Sequence, residues 1–269
     1  MSSTVSVTRV AEDRWEAAAD DGTVVGQGDV SRRPDGRLFL SVDVWQDAAF
    51  DRLAAAMLAD LPEPLHTLIG DEDHDRRVGW ERLGFTVGRR EWAYDLPTDP
   101  RVTGLGAVPL PAGVSILPAG EADEDRLRAL DRAIREEVGA AAGLHPLPAE
   151  LVSGPPGDTV VDPSKYAVAV RDGARSGAGR NDEDGGAYVG LVRVVRVRRR
   201  ARVGLIAVRA DERRRGIGRA LLAHALDTLA RDGVGFAWAE ADASHAAATA
   251  LLEGAGARRA GASLELVRP

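Results

Sequence analysis

The 269-residue chain contains no cysteine. That excludes disulfides, thiolate metal sites and any covalent intermediate on a cysteine sulfur. Lys165 is its only lysine, so a Walker loop, which ends in Gly-Lys-Ser/Thr, is excluded as well. No apolar run is long enough to cross a bilayer, and Met1 to Trp15 has neither a basic start nor an apolar signal core. The expectation is a cytoplasmic protein with no membrane partner. Positive charge is also in deficit: a net charge of −7 argues against general nucleic-acid binding, which needs clustered cations in excess, and suits a cationic partner. Apolar residues at 44% and charged residues at 29% are ordinary for a globular chain, which at this length holds two modest domains or one large one.

The chain does contain an informative run, Val203-Gly-Leu-Ile-Ala-Val-Arg-Ala-Asp-Glu-Arg-Arg-Arg-Gly-Ile-Gly-Arg-Ala-Leu-Leu222. It reads as an apolar strand, an arginine-glycine loop and an amphipathic helix in succession. A helix N-terminus leaves backbone N–H groups unpaired and carries partial positive charge, so Gly216 and Gly218 lead into a ready anion site. The dinucleotide fingerprint G-x-G-x-x-G/A fits these two glycines but meets Leu221 at its sixth place.

The spacing Arg213-x-x-Gly216-x-Gly218 instead resembles the acyl-coenzyme A loop of the GNAT acyltransferase superfamily, R/Q-x-x-G-x-G/A. The resemblance runs from about Val114 to the C-terminus: Phe236-Ala-Trp-Ala-Glu-Ala-Asp-Ala-Ser-His245 and Gly256-Ala-Arg-Arg-Ala-Gly261 look like its fifth strand and closing hairpin. Within the superfamily these segments are closest to the ribosomal-protein N-terminal acetyltransferases and to mycothiol synthase. The resemblance implies an α/β (α+β) fold with a mixed central sheet and flanking helices. It also implies acetyl transfer from acetyl-coenzyme A, a co-substrate, to an amine acceptor. As implied by the family, the N–H groups around Arg213, Arg214, Arg215, Gly216, Ile217, Gly218 and Arg219 hold the pyrophosphate. Ile206, Ala207 and Val208 bond the pantetheine arm where two strands splay apart.

Comparison of the chain with itself shows a weaker pattern. Asp47 to Leu61 falls on Arg219 to Gly233 at a shift of 172 residues, and Trp80 to Phe85 falls on Leu252 to Ala257 at the same shift. Upstream, Phe39 to Val44 matches Val203 to Val208 at a shift of 164, so the first half lacks eight residues between strand and helix. Those are the residues of the loop. The expected organisation is a degenerate GNAT-like half at 1–97 without a cofactor loop, a Pro/Gly-rich linker at 98–112 and a GNAT domain at 113–269. In the latter the pattern predicts a strand at 114–117, a helix near 121–137 and strands at 166–171 and 187–197. The prolines at 146, 148, 155 and 156 leave room for only a short helix near Ala149, in what the family uses as the acceptor wall. The polar stretch 175–186 has no apolar anchor.

An amine attacks only after losing its proton, so a general base is required. Glu240 matches the base glutamate of the ribosomal-protein group. On an alternating strand it shares a face with Trp238 and Asp242, where partial burial would make it hold a proton more tightly; the alternative is an ion-pair partner for the many arginines. Leu252 stands where relatives place a tyrosine that protonates the leaving thiolate. His245 is the candidate donor in its place, with Ser244, Tyr166 and Tyr188 as others, though His245 also reads as a plain helix-start residue. In the first half Leu68, Asp73 and Trp80 occupy the equivalent positions, so that half reads as noncatalytic. The cluster His66, Asp71, Glu72, Asp73, His74, Asp75 fits no common metal spacing and reads as a solvated loop. The arginines at 193, 196, 198, 199, 200 and 202 read as a solvated hairpin rather than an anion surface. Two rivals stay open: a noncatalytic acyl-coenzyme A binding or partner module, and a mycothiol-synthase-like enzyme, whose first half keeps a glycine loop that this one lacks.

Overall fold

The computed structural model describes residues 5–33, 36–105, 108–142, 161–172, 186–197 and 200–269. Two compact units emerge, Met1–Glu91 with Gly261–Pro269, and Trp92–Ala260.

In the first unit β1 (Ser6–Ala11), β2 (Arg14–Ala18), β3 (Val24–Arg32) and β4 (Leu38–Val44) run antiparallel in turn. Helix α1 (Ala48–Asp60) then crosses to β5 (Leu65–Gly70), which pairs with β4 in parallel, Leu38 opposite Leu65. A parallel neighbour needs such a crossover, and the helix buries Ala49, Phe50, Leu53, Ala54 and Met57 at helical spacing. Helix α2 (His74–Arg82) follows, capped by Asp73, whose side chain accepts from the N–H of Arg76. Trp15, Leu53, Met57, Trp80, Leu264 and Leu266 belong to this unit's core.

The second unit takes residues 92–97 of β6 (Thr86–Pro97). It continues through α3 (Pro100–Thr103), β7 (Val114–Leu117), α4 (Glu124–Ala142), β8 (Tyr166–Arg171), β9 (Ala187–Val197) and β10 (Arg200–Val208). Helix α5 (Ile217–Arg231), β11 (Phe236–Asp242) and α6 (Ala246–Glu253) complete it, with β12 (Arg258–Arg268) last in the chain. The strand order within the unit is β6-β11-β10-β9-β8-β7. The strands expected at 114–117, 166–171 and 187–197 have those bounds, whereas the helix expected near 121–137 begins at Glu124 and runs on to Ala142. Strand β8 is covered on both faces. Tyr166, Val168 and Val170 join Leu127, Leu130 and Ile134 of α4, while Ala167 and Ala169 join Ile217, Leu221 and Ala225 of α5. Helix α5 ends in a Schellman motif: Gly233, at φ +76°, donates to Ala230 and Val234 donates to Leu229. The molecule thus has the mixed sheet and flanking helices expected.

The order strand, strand, helix, strand, helix, strand occurs twice, as β3-β4-α1-β5-α2-β6 and β9-β10-α5-β11-α6-β12. Three residues, 45–47, join β4 to α1, where 209–216 join β10 to α5. The units differ from the sequence-based partition in two segments. Strand β12, the last of the second repeat, pairs antiparallel with β5 of the first unit, Ser263 opposite Gly70 and Arg268 opposite Leu65, while residues 92–97 and 98–112 belong to the second unit. Sequential strands usually stay together, and the alternation of Leu264 and Leu266 does not say which unit they join. The short helix expected near Ala149, the prolines around it, and residues 175–185 lie outside the described residues.

Candidate functional site

Strand β10 runs apolar to Val208, and a 3₁₀ turn at Ala210–Glu212 then lifts the chain off the sheet. Arg214 follows with φ +64° and Gly216 with φ +84°. Gly216 is the N-cap of α5, whose first bond runs from the Ala220 N–H to the Gly216 carbonyl at 3.0 Å. The N–H groups of Ile217, Gly218 and Arg219 therefore precede the first intrahelical bond, at the positive end of a 15-residue helix. Arg213 to Gly216 and Arg219 are exposed. A Cβ on Gly216 would come no closer than 3.7 Å, to Pro111, so the left-handed backbone and not crowding demands glycine there. Gly218 is different: its φ is not positive and a Cβ would sit in ordinary contact, 3.8 Å from Leu251 and Val208.

The loop's arginines are unequal. Arg213 Nε donates to the Val208 carbonyl at 3.0 Å and its Nη2 lies 3.5 Å from Glu137 of α4. Glu137 also accepts from Arg209 Nε at 2.5 Å and from the Ala210 N–H at 2.7 Å. Glu212, 8% exposed, accepts from Nε and Nη2 of Arg171 at 2.6 and 2.5 Å and from Arg215 Nη1 at 2.9 Å. Arg171 holds the Glu212 carboxyl below its usual range. Burial pushes Glu137 up, but the bonds from Arg209 and Ala210 outweigh it and the net displacement is downward. Among the described residues, the side chains of Arg214 and Arg219 have no ion-pair partner. None of Glu137, Glu212 and Arg171 was singled out from the sequence. Glu137 stands 73 residues from Ala210, and no local pattern links them.

Strands β10 and β11 are parallel neighbours only where Ala201 faces Ala237 and Arg202 faces Trp238. Both run on beyond that point. A bulge between Val203 and Leu205, against β9, bends β10 where the ladder ends. Ile206, Ala207 and Val208 are consequently half-buried on a diverging strand that leads into the loop.

On β11, Ala237, Ala239 and Ala241 are buried and Trp238, Glu240 and Asp242 take the more open face. Glu240 is not the partly buried carboxylate beside a tryptophan that alternation suggested. It is exposed, and its Oε2 accepts from Arg202 Nε at 2.9 Å and Nη2 at 2.6 Å. The opposed strand positions Arg202 and Trp238 bring this guanidinium alongside. Asp242 accepts from the N–H and hydroxyl of Ser244 at 2.8 and 2.6 Å, shaping the turn before α6. His245 is the exposed N-cap of α6 and makes no side-chain cap bond. Leu252 is buried in the core at 4% exposure. Tyr166 is buried too, which pushes its phenol up, and the Tyr188 hydroxyl accepts from the Asp123 N–H at 3.0 Å.

Residues of the remaining sequence features pair with residues distant in the chain. Asp71 pairs with Arg90, but His66 is not in the solvated loop expected for it: it lies on β5, buried against Glu265. In the arginine run, Arg196 pairs with Asp232 and Arg200 lies 3.6 Å from Asp95, while residues 198 and 199 lie outside the described residues. No described helix is long and apolar enough to cross a membrane.

Residues 155–257 match the Acetyltransferase (GNAT) family. Over 51 residues the chain is 53% identical to the ribosomal protein bS18-alanine N-acetyltransferase of Escherichia coli (strain K12), covering 19% of this chain and 34% of that protein. It therefore spans about a third of the length of the curated relatives it matches. Among solved structures, a GCN5-related N-acetyltransferase from Sphaerobacter thermophilus superimposes with a TM-score of 0.65 at 20% identity, over 97% of this chain and 83% of that one. A tandem GNAT protein from the clavulanic acid biosynthesis pathway does so with a TM-score of 0.62 at 15% identity, over 98% and 82%.

Proposed function

For a chain that has the GNAT fold, and whose residues 155–257 match that acetyltransferase family, we propose an acetyl-coenzyme A-dependent N-acetyltransferase acting on an amine. The observation that carries this reading is the left-handed Gly216 cap feeding open N–H groups into α5, at the end of a strand that diverges from its parallel neighbour.

In this reading the N–H groups of Ile217, Gly218 and Arg219 bind the pyrophosphate, and the edge of Ile206–Val208 orients the pantetheine arm. The amine enters from the open face of β11. Glu240, which accepts from Arg202 Nε and Nη2, takes the proton the amine must lose. The amine nitrogen bonds to the acetyl carbon as the carbon–sulfur bond breaks. Sulfur leaves with the electron pair as a thiolate and is protonated by solvent or by His245, since the buried Leu252 has no proton to give. Attack is direct, with no acyl-cysteine intermediate, since the chain holds no cysteine. The acceptor is a small amine or a protein N-terminus. The partial likeness to a ribosomal-protein alanine N-acetyltransferase makes peptides with an N-terminal alanine the first to assay.

The test is amine-dependent release of thiol from acetyl-coenzyme A by the wild type and Glu240→Gln. Loss of the base is expected to slow release about a hundredfold. A second reading, a noncatalytic acyl-coenzyme A binding module, is favoured by Leu252 and by the engagement of Glu240 with Arg202. It requires binding without release from any amine, and a Glu240→Gln variant indistinguishable from the wild type.

A further inference from the structure

We propose that Glu137 and Glu212 are positioning residues that hold the coenzyme A cradle in its binding conformation, a proposal that rests on reading this loop as an acyl-coenzyme A site. Arg214, at φ +64°, adopts a backbone that a residue with a Cβ keeps only where its surroundings hold it. Its two neighbours are the anchored ones. Arg213 is tied back to Val208 and faces Glu137, and Arg215 is tied to Glu212. Glu137 also receives the Ala210 N–H at the first residue of the 3₁₀ turn, and through Arg209 it fixes the chain where it leaves β10. Glu212 accepts in turn from Nε and Nη2 of Arg171 of β8. One carboxylate thus ties the loop to helix α4 and the other ties it to the sheet. Between them the strained residue and the glycine cap are set before any ligand arrives.

These carboxylates also carry negative charge beside a site for a dianionic group, so removing either has two opposed consequences. If charge dominates, loss of a carboxylate leaves arginines unpaired and coenzyme A binds more tightly. If position dominates, binding weakens. Position is the stronger effect here, because the cradle binds through N–H groups whose direction the backbone sets, whereas Arg213 and Arg215, the loop arginines that a lost carboxylate would unpair, are exposed and their charge is screened by salt over about 8 Å.

The experiment measures the Kd for acetyl-coenzyme A at physiological ionic strength for the wild type, Glu137→Ala, Glu137→Gln and Glu212→Ala. It adds the ratio of kcat/KM for acetyl-coenzyme A to that for acetyl-pantetheine, which lacks the pyrophosphate. Both alanine variants are expected to weaken acetyl-coenzyme A about tenfold and to lower the ratio by as much. Glu137→Gln, which keeps an acceptor for the Ala210 N–H, is expected to recover part of the loss. Tighter binding in the alanine variants would overturn the proposal, as would an unchanged ratio, which marks general damage to the fold. Failure of the wild type itself to bind acetyl-coenzyme A would instead strike at the reading of the loop, and the proposal would fall with it.

Discussion

Replacing Gly216 with alanine isolates the backbone requirement of the cradle. A Cβ at this position meets nothing nearer than Pro111 at 3.7 Å, so there is no steric clash to add. The cost is that of holding a residue with a side chain at φ +84°, roughly 1–2 kcal/mol. If the loop keeps its conformation, the penalty falls on stability and lowers the melting temperature by about 2–8 °C for a chain of this size. If the free loop relaxes instead, the same energy must be spent on binding, and the Kd for acetyl-coenzyme A rises about 5- to 30-fold. Calorimetric titration and a thermal melt of one sample divide the two cases. Gly218→Ala is the control, because its backbone is not left-handed and the added methyl meets Leu251 and Val208 at 3.8 Å; its Kd should stay within about twofold of wild type. An unchanged melting temperature together with an unchanged Kd in Gly216→Ala would refute the reasoning, as would a greater loss of binding in Gly218→Ala than in Gly216→Ala.

Two further predictions concern stability. Glu265 is 2% exposed, with Arg37 Nη1 at 2.8 Å, His66 Nδ1 at 2.9 Å and Arg89 Nη2 at 3.1 Å. Burial pushes its carboxyl up, but these partners bring it below its usual range. A carboxyl lowered on folding contributes stability above its unfolded value, about 4.3, and loses it as pH falls through the folded value. Urea midpoints should therefore hold near neutrality and fall below about pH 4.3, and Glu265→Gln should cost about 3–5 kcal/mol at pH 7 while flattening that acid limb. An acid limb unchanged in the variant would remove Glu265 from the explanation. A fragment of residues 112–269 is expected not to fold, because Tyr94 and Leu96, both fully buried in the second unit's core, are missing from it, and the loss of two such side chains costs several kcal/mol. A soluble fragment with native circular dichroism and full acetyl-coenzyme A affinity would show that residues 92–97 are dispensable.

The strand, the glycine-capped turn and the helix were legible because their determinants are contiguous: a β-rich apolar run, Arg213, two glycines and a helix with Leu221, Leu222, Leu226 and Leu229 on its buried side. The repeat was legible for a similar reason, since the spacing of Phe50, Ala54 and Met57 is that of Leu222, Leu226 and Leu229. What escaped depends on pairing at long range. Alternation gave the right face for Glu240, but whether that face buries a carboxylate or offers it a guanidinium is decided by which residue of β10 lies opposite, and that is Arg202. Glu137 reads in sequence as one more surface acid on an amphipathic helix; only the packing of α4 brings it to Arg209 and Ala210. The placement of residues 261–268 of β12 in the first unit was hidden in the same way, because the alternation of Leu264 and Leu266 calls for a buried face without saying which strand lies beside it.

The most direct test of the account is calorimetric titration of acetyl-coenzyme A into the full chain, read for stoichiometry as well as affinity. Only the second repeat has a glycine-capped loop between its parallel strands, and the first has three residues in that place. The account predicts saturable binding at one site per chain. Two sites per chain would mean that the first repeat binds without a cradle, and no heat of binding at all would contradict the assignment of residues 213–219 as the coenzyme A loop.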